Sequence, residues 1–500
     1  MAVASSFNHI PGNIRVPLFY AEVDGSAAAG GTDNARSLLI GGMNAAGGSA
    51  TANIPVPVKS YAQAVDLFGN GSMLAHMCDK YISNDLLGEL WAVPLNDTAG
   101  TANTWDVTVT GTAGLDGILY LYIGGRKLEI SVDETDTATA QAAAIAAAIT
   151  ADGELPVTAT SAGAVATLTS KAQCLLVQSL DVRFNFAGSF GGETFPDSVT
   201  VAVVNNADGA TDPSIGTAIT NIGDTAFDYW VMPYVGTAGS AVQMGAIETE
   251  FADDANGRWG PTRQLYGHCF SAFSGTQGAL TTYGNSRNDP HMSVIGYDES
   301  PTPSWEWAAA FAAVSARSLK IDPARPLQTL ALKGVSAPPE TDRFTITERN
   351  TLYFDGIAGW YVSGGKVRIE RAITTYQTDA NDNPDAAFLD IQTLATLQYI
   401  LRDSRSRITG KYGRHKLAND GTRYGAGQPI VTPSVIRGEM IAAYDAYENI
   451  GLVENAADFV DNLIVERNAG DVNRIDVLYP PDLINQFRVF AMLAQFRLQY

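Results

Sequence analysis

The chain has 500 residues, more than a single hydrophobic core ordinarily supports, so several domains are expected. Apolar residues make up 46% and charged residues 17%, ample for globular interiors. With 32 basic against 53 acidic residues the net charge is −21, which argues against a general nucleic-acid or anionic-membrane binder.

Residues 1–24 read as an extended, irregular arm. Pro11, Gly12 and Pro17 break any helix, while Ile14, Val16, Leu18, Phe19 and Tyr20 supply apolar contacts. Such an arm is either a domain's first edge strand or a strand donated to a neighbour. Residues 25–96 have an α/β pattern. Ser37–Ile40 is a short apolar strand; Ser60 can cap a helix Tyr61–Phe68 ended by Gly69, and Ser72 a helix Met73–Ile82. Leu90–Val93 is a strand expected to stop at Pro94.

Composition changes at Asn96–Gly100, and residues 97–224 read as a β-rich surface domain inserted into the α/β one. Trp105–Val109 alternates, and Ile118–Ile123, Gly124-Gly125 and Arg126–Val132 form a hairpin signal with a two-residue turn. Asp136 or Thr137 caps an alanine-rich helix to about Ile149, and strands follow up to Val199–Val204.

The α/β pattern resumes over 225–340. Phe227–Pro233, Gln264–Phe270 and Met292–Tyr297 are candidate strands, with a helix capped by Ser240 and another, Trp305–Ser318, capped by Ser304. The Ala337-Pro338-Pro339 break marks an expected boundary, and residues 341–485 read as an α+β domain. Strands are expected at Arg343–Thr347 and Leu352–Phe354, then a hairpin Trp360–Ser363 and Lys366–Thr375 across Gly364-Gly365. A helix from about Asp385 to Ile408 carries Phe388, Ile391, Leu394, Leu397 and Leu401 on one stripe. Thr432-Pro433 starts another, with Ile436, Met440, Ala443 and Tyr447 as its core face and Gly451 at its end.

Three β-rich runs close the chain: Phe459–Asn468, Asn473–Leu483 ending at Pro480-Pro481, and an arm strand over 486–500. The arm is apolar on both faces, with Phe487, Val489 and Leu493 on one and Phe490, Met492, Phe496 and Leu498 on the other, so it needs cover on both. Burying its large side chains yields roughly 12–24 kcal/mol at ~1.5–3 each. Ordering its backbone costs roughly 14–28 kcal/mol at ~1–2 per residue. The sums nearly cancel, so the arm orders only by joining a sheet that already exists, its own or a neighbour's.

The runs IDVLYPPDLINQFRVFAMLAQFRLQY and SSFNHIPGNIRVPLFYAEVD at the two ends resemble the tail sheath protein of contractile-tailed, Mu-like bacteriophages. The likeness extends over most of Arg343–Tyr500 and the first ninety residues, and is weak between about Asp97 and Asp224. It implies an α+β multidomain fold with a sheath-like core, and a subunit of the virion tail, assembled in the host cytoplasm. The subunit would polymerise with itself as stacked homo-hexameric rings around a tail tube protein. Baseplate and tail terminator proteins are further implied partners. Contraction would drive the tube through the host envelope without a nucleotide or other cofactor. Residues carrying strand exchange would be those of the two arms.

Little catalytic chemistry is legible. Cys78, Cys174 and Cys269 make no disulfide framework and point to a reducing cytosol; no signal peptide and no apolar run of membrane-spanning length is evident. His9, His76, His268, His291 and His415 show no metal-ligand spacing, and adjacent His268 and Cys269 read as buried structural residues on opposite strand faces. There is no GxSxG elbow or P-loop, and Gly69-Asn70-Gly71 lies between helices rather than after a strand. Asp379 to Asp390 resembles a calcium loop, but Pro384 stands where the sharp turn needs glycine and Asp390 where a bidentate Glu is expected, so a solvated turn is the simpler reading. Arg402, Arg405, Arg407, Lys411, Arg414, Lys416 and Arg423 crowd one helix end, where cations are favoured. The resemblance implies a second role for Arg402, Arg405, Arg407, Lys411, Arg414 and Lys416, contact with acidic residues of the tube. No catalytic, metal or cofactor-binding residue is expected, nor nucleic-acid binding or membrane insertion. Two rivals stand beside this reading: another extracellular or virion lattice protein, which the Thr/Ala/Gly/Val-rich insertion suits, and a multidomain α/β enzyme.

Overall fold

The computed structural model describes residues 35–44, 47–96, 101–209, 211–236 and 242–498. The expected N-terminal arm, 1–24 with Ile14, Val16, Leu18, Phe19 and Tyr20, lies outside them, as does Ser240.

The first strand, β1 (Arg36–Met43), buries Leu38, Leu39 and Ile40 completely, as a strand covered on both faces must. After β2 (Val56–Val58), helices α1 (Tyr61–Phe68) and α2 (Met73–Asn84) begin where expected. The Ser60 and Ser72 hydroxyls accept from the N–H of Gln63 and Ala75 at 3.2 Å. β3 (Glu89–Asn96) runs through Pro94 instead of stopping there. The Pro94 carbonyl accepts from Asn53 N–H at 2.7 Å on the side away from β1. A residue's N–H and C=O share one side of a strand, so the missing N–H also points outward and costs no ladder bond.

Residues 104–207 form an insertion with two sheets of its own. Its elements are β4 (Thr104–Thr110), β5 (Gly117–Ile123), β6 (Arg126–Val132), α3 (Ala138–Ala151), β7 (Val157–Ala162), β8 (Val165–Ser170), β9 (Val182–Phe184) and β10 (Thr200–Ala207). The strand orders are β10-β4-β8-β7 and β6-β5-β9, with α3 packed against both. Gly124 and Gly125, at φ 56° and 78°, make the expected tight turn between paired Ile123 and Arg126. The apolar interior of the insertion is continuous with that of the main body. Neutral His76 on α2 donates Nε2–H to the Glu154 carbonyl at 2.7 Å across the junction, and burial pushes its pKa down to about 4.

The main body resumes with α4 (Gly216–Ile222), β11 (Tyr229–Val231), α5 (Val242–Phe251), β12 (His268–Ser274), α6 (Gln277–Gly284), β13 (Met292–Tyr297) and α7 (Ser304–Ile321). β12 starts four residues later than expected because Gln264 and Tyr266 are left-handed, at φ 51° and 57°. Ser304 is the first residue of α7 and not its cap; Pro303 holds that position. The two strands expected over Arg343–Thr347 and Leu352–Phe354 are instead one helix, α8 (Ile346–Phe354). Thr345 and Glu348 form a reciprocal capping box that starts it.

β14 (Ile357–Ser363) and β15 (Lys366–Arg371) form the expected hairpin and complete an eight-stranded sheet, β15-β14-β13-β12-β11-β1-β3-β2. The proline-rich break at 337–339 therefore does not end the sheet. Its six inner strands pair in parallel, β2 and β15 alone pair antiparallel at the edges, and α2 and α7 pack on one another and on β1 and β12.

A second, smaller apolar core follows. It is built from α9 (Ile391–Tyr412), β16 (Lys416–Leu417), β17 (Ile430–Val431), α10 (Pro433–Asn449), α11 (Ala456–Asn462), β18 (Ile464–Arg467) and β19 (Ile475–Leu478). α9 begins after Asp390 rather than at Asp385, because the preceding loop is pinned: the Thr374 hydroxyl donates to the Phe388 carbonyl at 2.7 Å. On its expected stripe Ile391 and Leu394 are buried but Leu401 is 40% exposed. Ile436, Met440, Ala443 and Tyr447 of α10 are buried as expected. The first terminal run is half helix: Phe459 belongs to α11 and stacks on Tyr444 at 3.8 Å. The fold is α+β and multidomain, with a β-rich insertion.

Candidate functional site

The C-terminal arm begins as a fastened segment and ends as a bare one. After β19 the Asp482 N–H donates to Tyr444 Oη at 3.1 Å, and its carbonyl accepts from Glu454 N–H at 2.9 Å. Ile484 N–H donates to the Leu452 carbonyl at 3.1 Å. Gln486 Nε2 then donates to the Ala324 carbonyl at 2.6 Å, and Arg488 reaches Asp390 Oδ1 at 2.8 Å. Beyond Arg488 no described residue of the arm is in a strand. Phe487, Val489, Phe490, Met492, Leu493, Phe496 and Leu498 are between 70% and 89% exposed. An arm apolar on both faces thus has no cover from its own chain among the described residues. A contiguous apolar surface of this kind marks a binding element.

A matching deficiency lies close to it in sequence. β18 and β19 pair antiparallel as an isolated two-stranded ribbon, Ile464 opposite Leu478 and Arg467 opposite Ile475. Among the described residues neither outer edge carries another strand, and Ile464 and Leu478 are 53% and 59% exposed. A two-stranded ribbon is marginal alone, and its open edges offer unpaired N–H and C=O groups to an incoming strand.

The basic residues of α9 and its following loop divide into two groups. Arg402 is committed inside the molecule: it pairs with buried Asp228, donates Nη2–H to the Leu265 carbonyl at 2.7 Å and lies 5.7 Å over the Tyr266 ring. Asp228 also accepts from Gln398 Nε2 at 2.6 Å and Arg36 N–H at 2.9 Å, so it ties α9 to the first edge of β1 and β11. Arg407 pairs with Asp403 one turn earlier, Lys411 with Glu439 at 2.8 Å, and Lys416 reaches Gln428 Oε1 at 3.4 Å. Arg405, Arg414 and Arg423 are exposed, and no side-chain partner for them occurs among the described residues. Of the six residues expected to contact the tube, Arg402 thus has its charge paired with a buried carboxylate within the chain.

The remaining candidates make contacts within the chain. In the calcium-like loop Asp379 Oδ1 accepts from Asn381 and Asn383 N–H at 2.8 and 2.9 Å, a turn, and Asp390 pairs with Arg371 and Arg488. Among the described residues no group of three or more His, Cys, Asp or Glu is placed to hold a metal ion. His268 is buried with Nε2 2.8 Å from Ser293 Oγ and its pKa is pushed down to about 3 by burial; burial likewise raises the Cys269 thiol. The sequence reading missed the contacts of Gln486 and Arg488, since polar residues inside an apolar arm look like its solvent face.

Residues 208–375 match the family described as the phage tail sheath protein central domain, and residues 383–497 the phage tail sheath C-terminal domain. The Mu-like prophage FluMu tail sheath protein of Haemophilus influenzae is 40% identical over 494 residues, covering 98% of this chain and 99% of that protein. Among solved structures, the sheath tail protein of Desulfitobacterium hafniense superposes with a TM-score of 0.47 at 13% identity, covering 95% of this chain and 97% of that one. The sheath tail protein of Listeria innocua gives a TM-score of 0.47 at 11% identity, over 90% and 92%.

Proposed function

Because this chain belongs to the phage tail sheath family and is a structural component of a virion tail, we propose that it polymerises as stacked hexameric rings around a tail tube. The sheath starts extended and contracts to drive the tube through the host envelope, with the baseplate as trigger and a terminator at the far end. Contraction runs downhill to the state of lower free energy, so no nucleotide is consumed. Assembly takes place in the host cytoplasm.

The observation that carries this reading is the exposed arm, with Phe487, Val489, Phe490, Met492, Leu493, Phe496 and Leu498 uncovered. No described residue of the chain covers this segment, so its cover in this reading is a second molecule, and the open ribbon β18–β19 offers the backbone partners it lacks. One subunit's arm on the next subunit's ribbon repeats head to tail, and a heterologous contact of that kind builds rings or helical polymers. The same inter-subunit role is proposed for Ile14, Val16, Leu18, Phe19 and Tyr20 of the N-terminal segment, on the strength of their sequence alone. Strand exchange through arms lets subunits rotate and slide while remaining joined. Arg405 and Arg414, exposed and uncommitted, are the residues that face the tube, with Lys411 and Lys416 beside them.

Negative-stain microscopy of the full chain beside a chain truncated before Gln486 tests this. Long hollow cylinders from the first and folded monomers from the second are expected. Cylinders from the truncated chain would sink the arm's role.

A further inference from the structure

The arm could leave the body in any direction allowed by a flexible root, yet its root is held by side chains in a defined place. Arg488 is 14% exposed and spreads its guanidinium over three acceptors: Asp390 Oδ1 at 2.8 Å, Gln392 Oε1 at 3.2 Å and Gln328 Oε1 at 3.2 Å. Gln328 closes the loop by donating to the Phe487 carbonyl at 3.2 Å, and Gln486 holds the Ala324 carbonyl one step earlier. Asp390 is the N-cap residue of α9 and also accepts from Arg371 of β15 at 3.2 Å. One carboxylate therefore joins the edge of the main sheet, the start of α9 and the root of the arm.

Resting on the reading of the arm as the inter-subunit strand, we infer that Gln486 and Arg488 are positioning residues that aim the arm at its neighbour. Leverage makes this necessary. The ten residues 489–498 span ~33 Å when extended, so a swing of ~10° at the root moves the tip ~6 Å, more than the ~4.8 Å between adjacent strands. A planar fork on three acceptors fixes direction where a single ammonium would pivot. The clamp is not optimised for stability, because Gln486 Oε1 and Arg488 Nε stay buried without a partner among the described residues. A buried ion pair is weak evidence for stability, and the proposed use of this one is to select a geometry. Without the clamp the last fastened point falls back to Asn485, which bonds Glu454 at 3.2 Å on the C-terminal body instead of beside the main sheet.

The test uses full-length chains carrying Arg488→Ala, Arg488→Lys or Gln486→Ala, with the chain truncated after Arg488 as reference. Each is assayed for the concentration at which cylinders form, their diameter distribution by microscopy, and the melting temperature of the subunit below that concentration. Arg488→Ala is expected to raise the assembly threshold at least about tenfold and to broaden the diameters, with at most a small fall in melting temperature because Asp390 keeps its pairing with Arg371. Gln486→Ala is expected to do the same to a smaller extent, and Arg488→Lys to fall between wild type and Arg488→Ala. Wild-type threshold and diameters in Arg488→Ala overturn the clamp while leaving the arm's role intact, and so does a lowered melting temperature with normal cylinders. Cylinders from the truncated reference overturn the arm's role itself.

Discussion

β1 and the C-terminal arm share a sequence signature and have opposite fates. Both are apolar on two faces, yet Leu38, Leu39 and Ile40 are 0% exposed while Val489, Leu493 and Leu498 are 80%, 85% and 89% exposed. β1 lies between β3 and β11 in the main sheet, and successive side chains on its two faces are all buried, so its requirement for two-sided burial is met inside one chain. The arm's requirement is met by no described residue of its own chain. The pattern of residues states that cover is needed; the topology decides who supplies it.

The sharpest way to break this comparison is the same substitution in both places. Leu39→Asp places an unpaired charge in the main core and is expected to cost more than ~4 kcal/mol, seen as loss of the folded subunit in urea titration. Leu493→Asp is expected to change subunit stability by less than ~0.5 kcal/mol and to abolish cylinders. Comparable destabilisation of the subunit by both would show the arm packed on its own chain.

Acid distinguishes the same two regions. The His76 pKa lies near 4 in the fold, below its ordinary 6.5, because burial penalises the charged ring and Arg126, Lys80 and Lys171 oppose a further positive charge. The unfolded chain takes up a proton as pH falls through 6.5 and the fold does so only near 4. The stability His76 contributes is thus whole above 6.5 and is lost between 6.5 and about 4, on the order of 3 kcal/mol. His76→Gln should flatten that part of the urea-stability profile; an unaltered slope would place the acid sensitivity elsewhere. The arm contains no acidic or histidine side chain beyond Asn485, so its exposure is expected to be insensitive to the same pH change.

The smallest effect on the subunit is expected on the basic face. Arg405→Glu with Arg414→Glu should leave stability within ~0.5 kcal/mol and still permit self-polymerisation, but prevent decoration of tubes. Reversing paired Arg407 instead should cost stability through Asp403 and Tyr447 without separating the two assemblies so cleanly. Tube decoration that survives the double reversal would remove the tube-facing role.

Local chemistry was legible at most caps and turns, although Ser304 proved to be the first residue of α7 and not its cap. Ser60, Ser72 and Thr137 cap the helices assigned to them, and Gly124-Gly125 and Gly364-Gly365 turn the hairpins assigned to them, because each device acts within four residues. The Thr345–Glu348 box starting α8 was equally local and passed unread, masked by the β-branched residues around it. The two terminal runs carried the family likeness for the same reason: identity in sequence needs no partner in space.

Long-range pairing was not legible. Pro94 sits inside β3 because of what lies on either side of it, and β14 and β15 join the main sheet across a proline-rich break because β13 presents a free edge. Arg402 and Arg407 look alike in sequence, yet only Arg402 meets a carboxylate 174 positions away. Sequence alone determined most helix starts, the hairpin turns and which segments need two-sided cover, since those follow from backbone preferences and from the apolar area each segment must hide; it misassigned α8 and part of α11 as strand. Which strand borders which, which charges are consumed and that no described residue covers the arm were decided by the tertiary structure, because burial and ion pairing depend on neighbours that chain order does not specify.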